Sequence, residues 1–311
     1  MIFRASATCR HGILSGLPPD RAPVARMRWR LGYATLASPV AQYGPSDVGT
    51  FLGAHCGDGT PAVLRGFAAN WAATVRWRDP EYIIDPPQHT DPHHLYARDR
   101  LISVERADNG VFSHASSYGR TSVPLELLFE HLAACAREND PRAQVYAAML
   151  DVDELHPVLR QDIAVLPPFV QAAAAAQTGD IAPANIWLGR GASTPLHWDA
   201  SSNWLVQICG RKQVRLYSPQ ESARLHPFPV GCGPPNASQL VDVEPLTEFD
   251  ADEMVRYNAA WPGFTDATYQ VAELSPGDAL FIPKTWWHCT KAFEDRLAPR
   301  CYHNISLNFW F

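Results

Sequence analysis

The chain has 311 residues, a net charge of -6 and a hydrophobic fraction of 46%, with 10 Trp, 13 Phe and 10 Tyr. This length allows one large or two small domains with a sizeable core, and the composition excludes extensive disorder. The negative charge gives no general attraction to nucleic acid or anionic membranes, and no apolar run approaches the roughly 20 residues that span a bilayer. We therefore expect a soluble protein that binds neither.

The amino-terminal residues 1–40 are predicted to form an extension that precedes the folded domain. The first 35 residues contain six Arg and a single acid, Asp20, a bias typical of mitochondrial transit peptides. The stretch "SGLPPDRAP" would interrupt an amphipathic helix, so a disordered extension stays open beside a mitochondrial leader.

The seven cysteines are odd in number and scattered, and they include no Cys-x-x-Cys pair. This pattern is typical of reduced thiols inside the cell, rather than of a disulfide framework or a zinc knuckle. Without a leader, the predicted location is therefore cytoplasmic or nuclear.

Residues 41–311 are predicted to form a single domain, mainly β with flanking helices. Its first part, 41–180, mixes a strand at 62–67 ("AVLRGF"), a helix at 122–139 ("SVPLELLFEHLAACAREN") and a short helix or linker at 170–179. In its second part, 181–311, short apolar and aromatic strands alternate with Gly, Pro and Asp turns, which indicates an antiparallel barrel or sandwich.

Two side chains of metal-binding type lie close together in "TPLHWD", residues 194–199. If this stretch is a strand, His197 and Asp199 share one face and Trp198 points to the other. His288 follows 91 positions later, just past a strand end, and is the natural third ligand. Two histidines and an aspartate are the ligand pattern of non-haem Fe(II) oxygenases, although a His-x-Asp string alone occurs by chance.

Polar residues also fall on the inward faces of the predicted strands. In "RKQVRLY" the alternation places Lys212 inward with Val214 and Leu216, and turns Arg211, Gln213 and Arg215 outward. A lysine in a core is costly unless an anion meets it, and a bound carboxylate would serve.

The same alternation groups Asn203 with Gln207 on one strand, and Ser306 with Asn308 and Trp310 on another. Each buried polar group needs a partner, so a polar interior indicates a ligand site. The alternative is a hydrogen-bonded network in a binding or storage protein without redox chemistry.

The motifs "TPLHWD", "GRKQVRLYSPQES", "LSPGDALFIPKTWWH" and "SLNFWF" resemble the Jumonji-C hydroxylases, which are cupin-like Fe(II)- and 2-oxoglutarate-dependent oxygenases. The similarity runs from residue 182 to 311 and extends back to about residue 45. It is closest to the arginyl hydroxylase subgroup of Jumonji domain-containing protein five, and next to the asparaginyl hydroxylase that inhibits hypoxia-inducible factor. The resemblance implies a double-stranded β-helix, or jelly-roll, barrel.

The resemblance also implies roles for individual residues. His197, Asp199 and His288 match the iron ligands, and Lys212 matches the lysine that pairs with the distal carboxylate of 2-oxoglutarate. The other positions that match cosubstrate contacts are Thr194, Tyr146, Asn203 and Asn308. Asn308 agrees with the asparaginyl hydroxylase, whereas the arginyl subgroup has a serine there.

Three positions are implied to meet the substrate: Glu105 matches an acid that binds the guanidinium in the arginyl subgroup, and Trp198 and Trp310 would form apolar walls. The chain departs from that subgroup at Met149, where a polar residue is usual, and in a longer loop at 289–304. Because of both departures, the resemblance does not identify the substrate.

The implied reaction consumes O2 and 2-oxoglutarate, hydroxylates an amino-acid side chain in a protein or peptide, and releases succinate and CO2. Oxidation of a free small molecule and N-methyl-lysine demethylation are alternative reactions, and a catalytically silent interaction module is the non-enzymatic alternative. The sequence leaves the oxidised atom open, and it does not distinguish a monomer from a homodimer.

Overall fold

The computed structural model describes residues 37–51, 54–55, 59–87, 98–107, 118–138, 144–177, 181–240, 243, 251–294 and 301–311. Residues 1–36, with the arginine-rich stretch, and the histidine-rich segment 89–94 lie outside the described residues. The division into an extension and one domain therefore stays a prediction.

Thirteen strands and seven α-helices are described, with short 3₁₀ turns between them. The strands are β1 (Ala37–Pro39), β2 (Ala41–Tyr43), β3 (Ala62–Leu64), β4 (Leu101–Ala107), β5 (Tyr118–Pro124), β6 (Gln144–Asp151), β7 (Asn185–Gly189), β8 (Asn203–Cys209), β9 (Arg211–Tyr217), β10 (Tyr269–Leu274), β11 (Ala279–Ile282), β12 (Trp287–Phe293) and β13 (Asn304–Trp310). The helices are α1 (Val48–Phe51), α2 (Ala73–Arg76), α3 (Pro80–Ile84), α4 (Leu125–Glu138), α5 (Val152–Leu155), α6 (Pro168–Gln177) and α7 (Ala251–Ala260).

The strands form two sheets. The small sheet has the order β1-β10-β9-β12, and the large sheet has the order β2-β3-β11-β8-β13-β7-β6-β4-β5. The described pairs are antiparallel except β1 with β10 and β2 with β3. One apolar cluster joins side chains of both sheets, among them Val214 and Leu216 of β9 with Leu205 of β8 and Leu280 of β11. The two sheets therefore enclose a barrel interior, and the predicted jelly-roll fold with flanking helices is confirmed.

A larger apolar core lies between the outer face of the large sheet and the helices. Strands β8 and β13 contribute alternate residues, such as Trp204 and Leu307, while α4 contributes Leu128 and Leu132 from one helical face. Each such side chain, when fully buried, contributes about 1.5–3 kcal/mol. This packing holds β8 and β13 as a rigid wall of the barrel. None of the helices in the described part of the chain is long and apolar enough to cross a membrane.

Several predicted elements differ from the structure in their extent. The predicted helix at 122–139 begins at Leu125, because the preceding residues pair with β4 as strand β5. The predicted strand at 62–67 ends at Leu64, just before Gly66 takes a φ of 68°. The predicted loop at 289–304 is wrong over Cys289–Phe293, which continues β12 and pairs with β9 along its whole length. Residues 295–300 of that loop lie outside the described part.

Gln213 and Arg215 lie on the outward face of β9, opposite Val214 and Leu216, but this face is not exposed to solvent. Their exposed fractions are 7% and 6%, because further chain covers the outer face of β9. Arg215 donates a 2.7 Å hydrogen bond to the carbonyl oxygen of Val243, and its guanidinium lies 5.1 Å from the ring centre of Tyr269. Local alternation predicts which face a side chain takes, but not whether another segment covers that face.

Candidate active site

His197 and His288 are brought together by a pair of reciprocal backbone hydrogen bonds. The amide of His197 donates to the carbonyl of His288 at 3.0 Å, and the amide of His288 donates to the carbonyl of His197 at 2.7 Å. Their imidazole ring centres lie 4.4 Å apart. His288 is the second residue of β12, whereas His197 lies in an irregular segment with isolated bridges to His288 and Ala237. The expected regular strand through "LHWD" is therefore absent from the described structure.

Asp199 completes this group. Its backbone carbonyl accepts a hydrogen bond from the amide of Thr285, at the turn that precedes β12. Its carboxylate lies 3.9 Å from Nε2 of His197 and 3.8 Å from Nε2 of His288. These distances are too long for hydrogen bonds, yet the three ligand atoms all lie within 4.8 Å of one another. The side chains thus face a common point without bonding to each other.

The outer nitrogens of both imidazoles are held by backbone carbonyls. Nδ1 of His197 lies 2.9 Å from the carbonyl oxygen of Pro195, and Nδ1 of His288 lies 3.0 Å from that of Trp286. A carbonyl accepts only, so each Nδ1 carries the proton and each Nε2 presents a lone pair toward Asp199. This arrangement is the one that orients histidine ligands at metal sites.

The electrostatics of the group fit a divalent metal. Burial, together with the neighbouring His288 imidazole, lowers the pKa of His197 to about 4, so this ring is neutral near pH 7. Two imidazoles and one carboxylate supply the facial donor set of non-haem Fe(II) enzymes and leave other coordination positions open. The residues present therefore fit an iron ion.

Lys212 lies deeper in the barrel, on the same interior face as His288. In the β9 and β12 pair, Leu216 is opposite His288, Val214 opposite Thr290 and Lys212 opposite Ala292. Four residues along a strand span about 13 Å, and the lysine side chain reaches back over part of that distance. The remaining gap suits a short dicarboxylate held between the metal and the ammonium group.

The ammonium group of Lys212 is nearly isolated. The residue is 3% exposed, and its Nζ donates a 2.6 Å hydrogen bond to Oγ of Ser306, which reaches across from β13. No carboxylate pairs with it among the residues that the structure describes, and burial lowers its pKa to about 7. A buried cation without a counter-ion is unfavourable, so the site favours an anionic ligand.

Four further predicted cosubstrate residues surround the same space. The side-chain oxygens of Asn203 and Asn308 are buried and accept no hydrogen bond within the described structure. Thr194 and Tyr146 line the adjoining cavity, and burial raises the pKa of Tyr146 above its usual range. The two amide oxygens of Asn203 and Asn308 are costly to bury unless a ligand satisfies them, so they fit a bound polar molecule.

A cavity of about 670 Å³ opens beside His197 and Thr194. Glu105 lies on its wall, but its carboxylate already accepts a 2.5 Å ion-pair hydrogen bond from Arg120 of the neighbouring strand. Met149 lies at the mouth, 59% exposed, in the left-handed region with a φ of 57° at an irregularity of β6. Such strained positions cluster at binding sites.

The two predicted tryptophan walls lie in different places. Nε1 of Trp310 donates a 3.3 Å hydrogen bond to the carboxylate of Asp199, so this ring borders the metal ligands. Trp198 instead packs against a separate apolar cluster that contains Leu196 and Tyr217, and it is not among the residues that line the cavity. Its expected role as a pocket wall does not agree with this position, because the residue faces away from His197 and Asp199.

Two contacts of the site were missed in the sequence. Oγ1 of Thr290 lies 3.1 Å from Oγ1 of Thr194, and Oγ of Ser306 binds the buried ammonium group. Thr290 follows His288 by two positions, so the strand period of two could have placed it on the interior face. The hydroxyl of Ser306 was placed on the correct face, but its partner could not be read from one strand alone.

The sequence profile of the cupin-like domain family matches residues 49–311. The chain belongs to this family. Among its relatives is lysine-specific demethylase 8 of Xenopus tropicalis, 35% identical over 252 residues, which are 81% of this chain and 48% of the relative. JmjC domain-containing protein D of Dictyostelium discoideum is 27% identical and Jumonji C domain-containing protein 5 of Drosophila melanogaster is 24% identical. These matches cover 82% and 81% of this chain, and 54% and 55% of the relatives.

The cupin-like chain therefore spans about half the length of these curated relatives. Their JmjC family consists of Fe(II)- and 2-oxoglutarate-dependent oxygenases, and His197, Asp199 and His288 form the candidate iron site. The names of these relatives do not separate an arginyl from an asparaginyl hydroxylase, and several relatives are named lysine-specific demethylases.

Proposed function

We propose that this cupin-like chain is an Fe(II)- and 2-oxoglutarate-dependent oxygenase that hydroxylates an amino-acid side chain, of arginyl or asparaginyl type, in a protein substrate. One observation carries the proposal. Two imidazole Nε2 atoms and one carboxylate face a common point, and the uncompensated Lys212 ammonium lies deeper on the same barrel face. Succinate and CO2 are the products expected beside the hydroxylated residue.

Each part of the site has a task in this proposal. His197, Asp199 and His288 would hold the iron, and Lys212 with Ser306 would bind the distal carboxylate of 2-oxoglutarate. When bound, iron and cosubstrate together activate O2 for attack on an unactivated C–H bond. The protein's own contribution is to orient the cosubstrate and to shield it from bulk water, which limits unproductive turnover. The hydrogen bond from Trp310 fixes the Asp199 carboxylate in its ligating position.

N-methyl-lysine demethylation is the second candidate, because relatives are named lysine-specific demethylases. The charges of the cavity separate neutral from cationic substrates. Arg100 and Arg120 lie on its wall, and its carboxylate, Glu105, is already paired with Arg120. A methylated ammonium group or an arginine guanidinium would therefore have to displace Arg120 from Glu105, whereas a neutral asparagine side chain would not.

A peptide panel tests the proposal. Purified protein with Fe(II), 2-oxoglutarate and O2 is incubated with peptides that present arginine, asparagine or N-methyl-lysine, and the products are read by mass spectrometry. We expect gain of one oxygen on an arginine or asparagine peptide, together with succinate. His288→Ala should abolish both products, whereas His131→Gln on the distant helix α4 should not.

The other outcomes have definite meanings. Loss of a methyl group from the lysine peptide, with the others unchanged, would replace hydroxylation by demethylation. Oxidation of a free metabolite alone would move the substrate to small molecules. Absence of succinate with every substrate, from folded protein loaded with iron, would contradict an oxygenase and support a silent module.

A further inference from the structure

A second group of metal-binding side chains lies far from the candidate iron site. Cys209 ends β8, and Cys301 and His303 precede β13. Asn203, at the other end of β8, borders the candidate active site, and six residues of strand separate the two ends by about 20 Å. The group lies between the large sheet and the helices, and the ring of Phe129 from α4 packs edge-on against His303 with centres 5.1 Å apart.

The three side chains converge tightly. Each offers one ligand atom, and these atoms all lie within 4.8 Å of one another. Their exposed fractions are 0% for Cys209, 3% for Cys301 and 1% for His303. Two sulfurs and one imidazole nitrogen are soft and borderline donors, unlike the nitrogen and oxygen donors at the iron site.

The hydrogen bonds of His303 indicate a missing partner. Its Nε2 lies 2.9 Å from the carbonyl oxygen of Trp77, so Nε2 carries the proton and Nδ1 presents a lone pair. This Nδ1 is buried and accepts no hydrogen bond in the described structure. A carbonyl that fixes the tautomer of an imidazole is the usual support of a histidine ligand.

We propose that Cys209, Cys301 and His303 bind a structural zinc ion. As each Zn–S bond forms, the thiol proton leaves to solvent, so binding releases two protons and no electron is transferred. Two thiolates and a neutral imidazole around Zn²⁺ give a net charge of zero, which an apolar core tolerates, whereas monovalent copper would leave a buried negative charge. A water molecule, or the carbonyl oxygen of His303 that accepts a 3.6 Å hydrogen bond from Cys301 Sγ, would supply the fourth ligand.

The zinc ion would add a link between two parts of the chain that strand pairing and the hydrogen bond from Gln207 to Asn304 already join. Cys209 ends β8, and the segment with Cys301 and His303 leads into the neighbouring strand β13, where Ile305 pairs with Cys209. Zinc would therefore fix the entry into β13, which carries Ser306, Asn308 and Trp310 onward into the barrel. This role is independent of the proposed oxygenase reaction.

Cobalt substitution tests the proposal in the full-length protein. Thiolate ligation of Co²⁺ gives an intense near-ultraviolet charge-transfer band, which the nitrogen and oxygen donors of the iron site cannot produce. We expect this band to saturate at one equivalent and to be displaced by Zn²⁺. Cys209→Ala and Cys301→Ala should each abolish it, while Cys135→Ala, a buried thiol of α4, and His288→Ala should leave it unchanged.

A second measurement needs no variant and so does not depend on mutant folding. Wild-type protein purified with zinc in the medium should release one equivalent of zinc when a mercurial reagent blocks its thiols. His303→Gln should lower zinc affinity at least tenfold. A wild-type protein that gives neither the charge-transfer band nor thiol-dependent zinc release would overturn the proposal. A band that persists in both folded cysteine variants would overturn it as well.

Discussion

Replacing Lys212 with Met should stabilise the ligand-free protein and at the same time remove its response to 2-oxoglutarate. Methionine retains most of the length and apolar character of lysine but lacks the ammonium group. Lys212 is 3% exposed and has one hydrogen bond, to Ser306. The wild-type residue is thus a buried charge without an anionic partner, and it destabilises the folded protein when no ligand is bound.

The size of the effect follows from the pKa of Lys212, which burial lowers from 10.5 to about 7. At about 1.4 kcal/mol per pH unit, the charged form costs the folded protein roughly 5 kcal/mol. The variant also loses the hydrogen bond to Ser306, which destabilises its folded state by about 2 kcal/mol. The net effect of Lys212→Met should therefore be a free energy of unfolding at pH 7 that is higher by about 3 kcal/mol. The folded-state pKa is the lower one, so the unfolded chain binds more protons between pH 7 and 10.5. Wild-type stability therefore rises with pH across this window, and the advantage of the variant shrinks there.

Urea denaturation of the metal-free proteins at pH 7 and pH 9 measures this difference. A second series, with Mn(II) and 2-oxoglutarate, measures ligand stabilisation, which reaches about 2.7 kcal/mol at a hundredfold excess over Kd. The exposed Lys284 provides the control, and Lys284→Met should change neither series. A Lys212→Met protein that is less stable than wild type at pH 7, or that is stabilised equally by 2-oxoglutarate, would refute the reasoning.

Three other substitutions test separate parts of the structure. Asp199→Ala removes the carboxylate between the two imidazoles, and we expect loss of iron-dependent succinate formation with an unchanged circular dichroism spectrum; retained succinate formation would contradict the metal assignment. Glu105→Gln removes the ion pair with Arg120 and should raise KM for an arginine peptide at least tenfold, while KM for 2-oxoglutarate stays the same. An unchanged KM for the peptide would show that Glu105 does not bind the substrate. Leu128→Ala leaves a void under α4 and should lower the free energy of unfolding, measured by urea titration, by about 2–5 kcal/mol. A decrease below about 1 kcal/mol would show that the helix is loosely packed.

The strand faces could be predicted from the sequence because they depend on a period of two that is local to each strand. Alternation in "NWLVQI" and "RKQVRLY" predicts Leu205, Lys212 and Val214 on the barrel interior, and the structure confirms this placement. The same reasoning predicts Trp204 on the opposite face, and it does pack in the core beneath the helices.

Features that depend on distant segments could not be predicted in this way. The segment around His197 is irregular, and its geometry comes from backbone bonds to His288 and Ala237 rather than from a regular strand. The side chains of His197 and Asp199 converge nonetheless, since an extended segment held by bridges keeps the alternation approximately. The outward face of Arg215 was predicted correctly, but the distant segment around Val243 that covers this face could not be predicted from the strand alone.

Strand β13 shows why the sequence could place Ser306, Asn308 and Trp310 on the barrel interior but could not place Cys301 and His303 beside Cys209. Its pairing with β8 sets Trp310 opposite Asn203 at one end and Ile305 opposite Cys209 at the other. A register irregularity lies between Ile305 and Ser306, so the residues before it follow a different alternation from those after it. The interior face could be read from Ser306 onward, whereas Cys301 and His303 reach Cys209 only through this tertiary register. Because a one-residue slip would exchange the two faces of the strand, the apolar core that fixes β13 also fixes Ser306, Asn308 and Trp310 on the barrel interior.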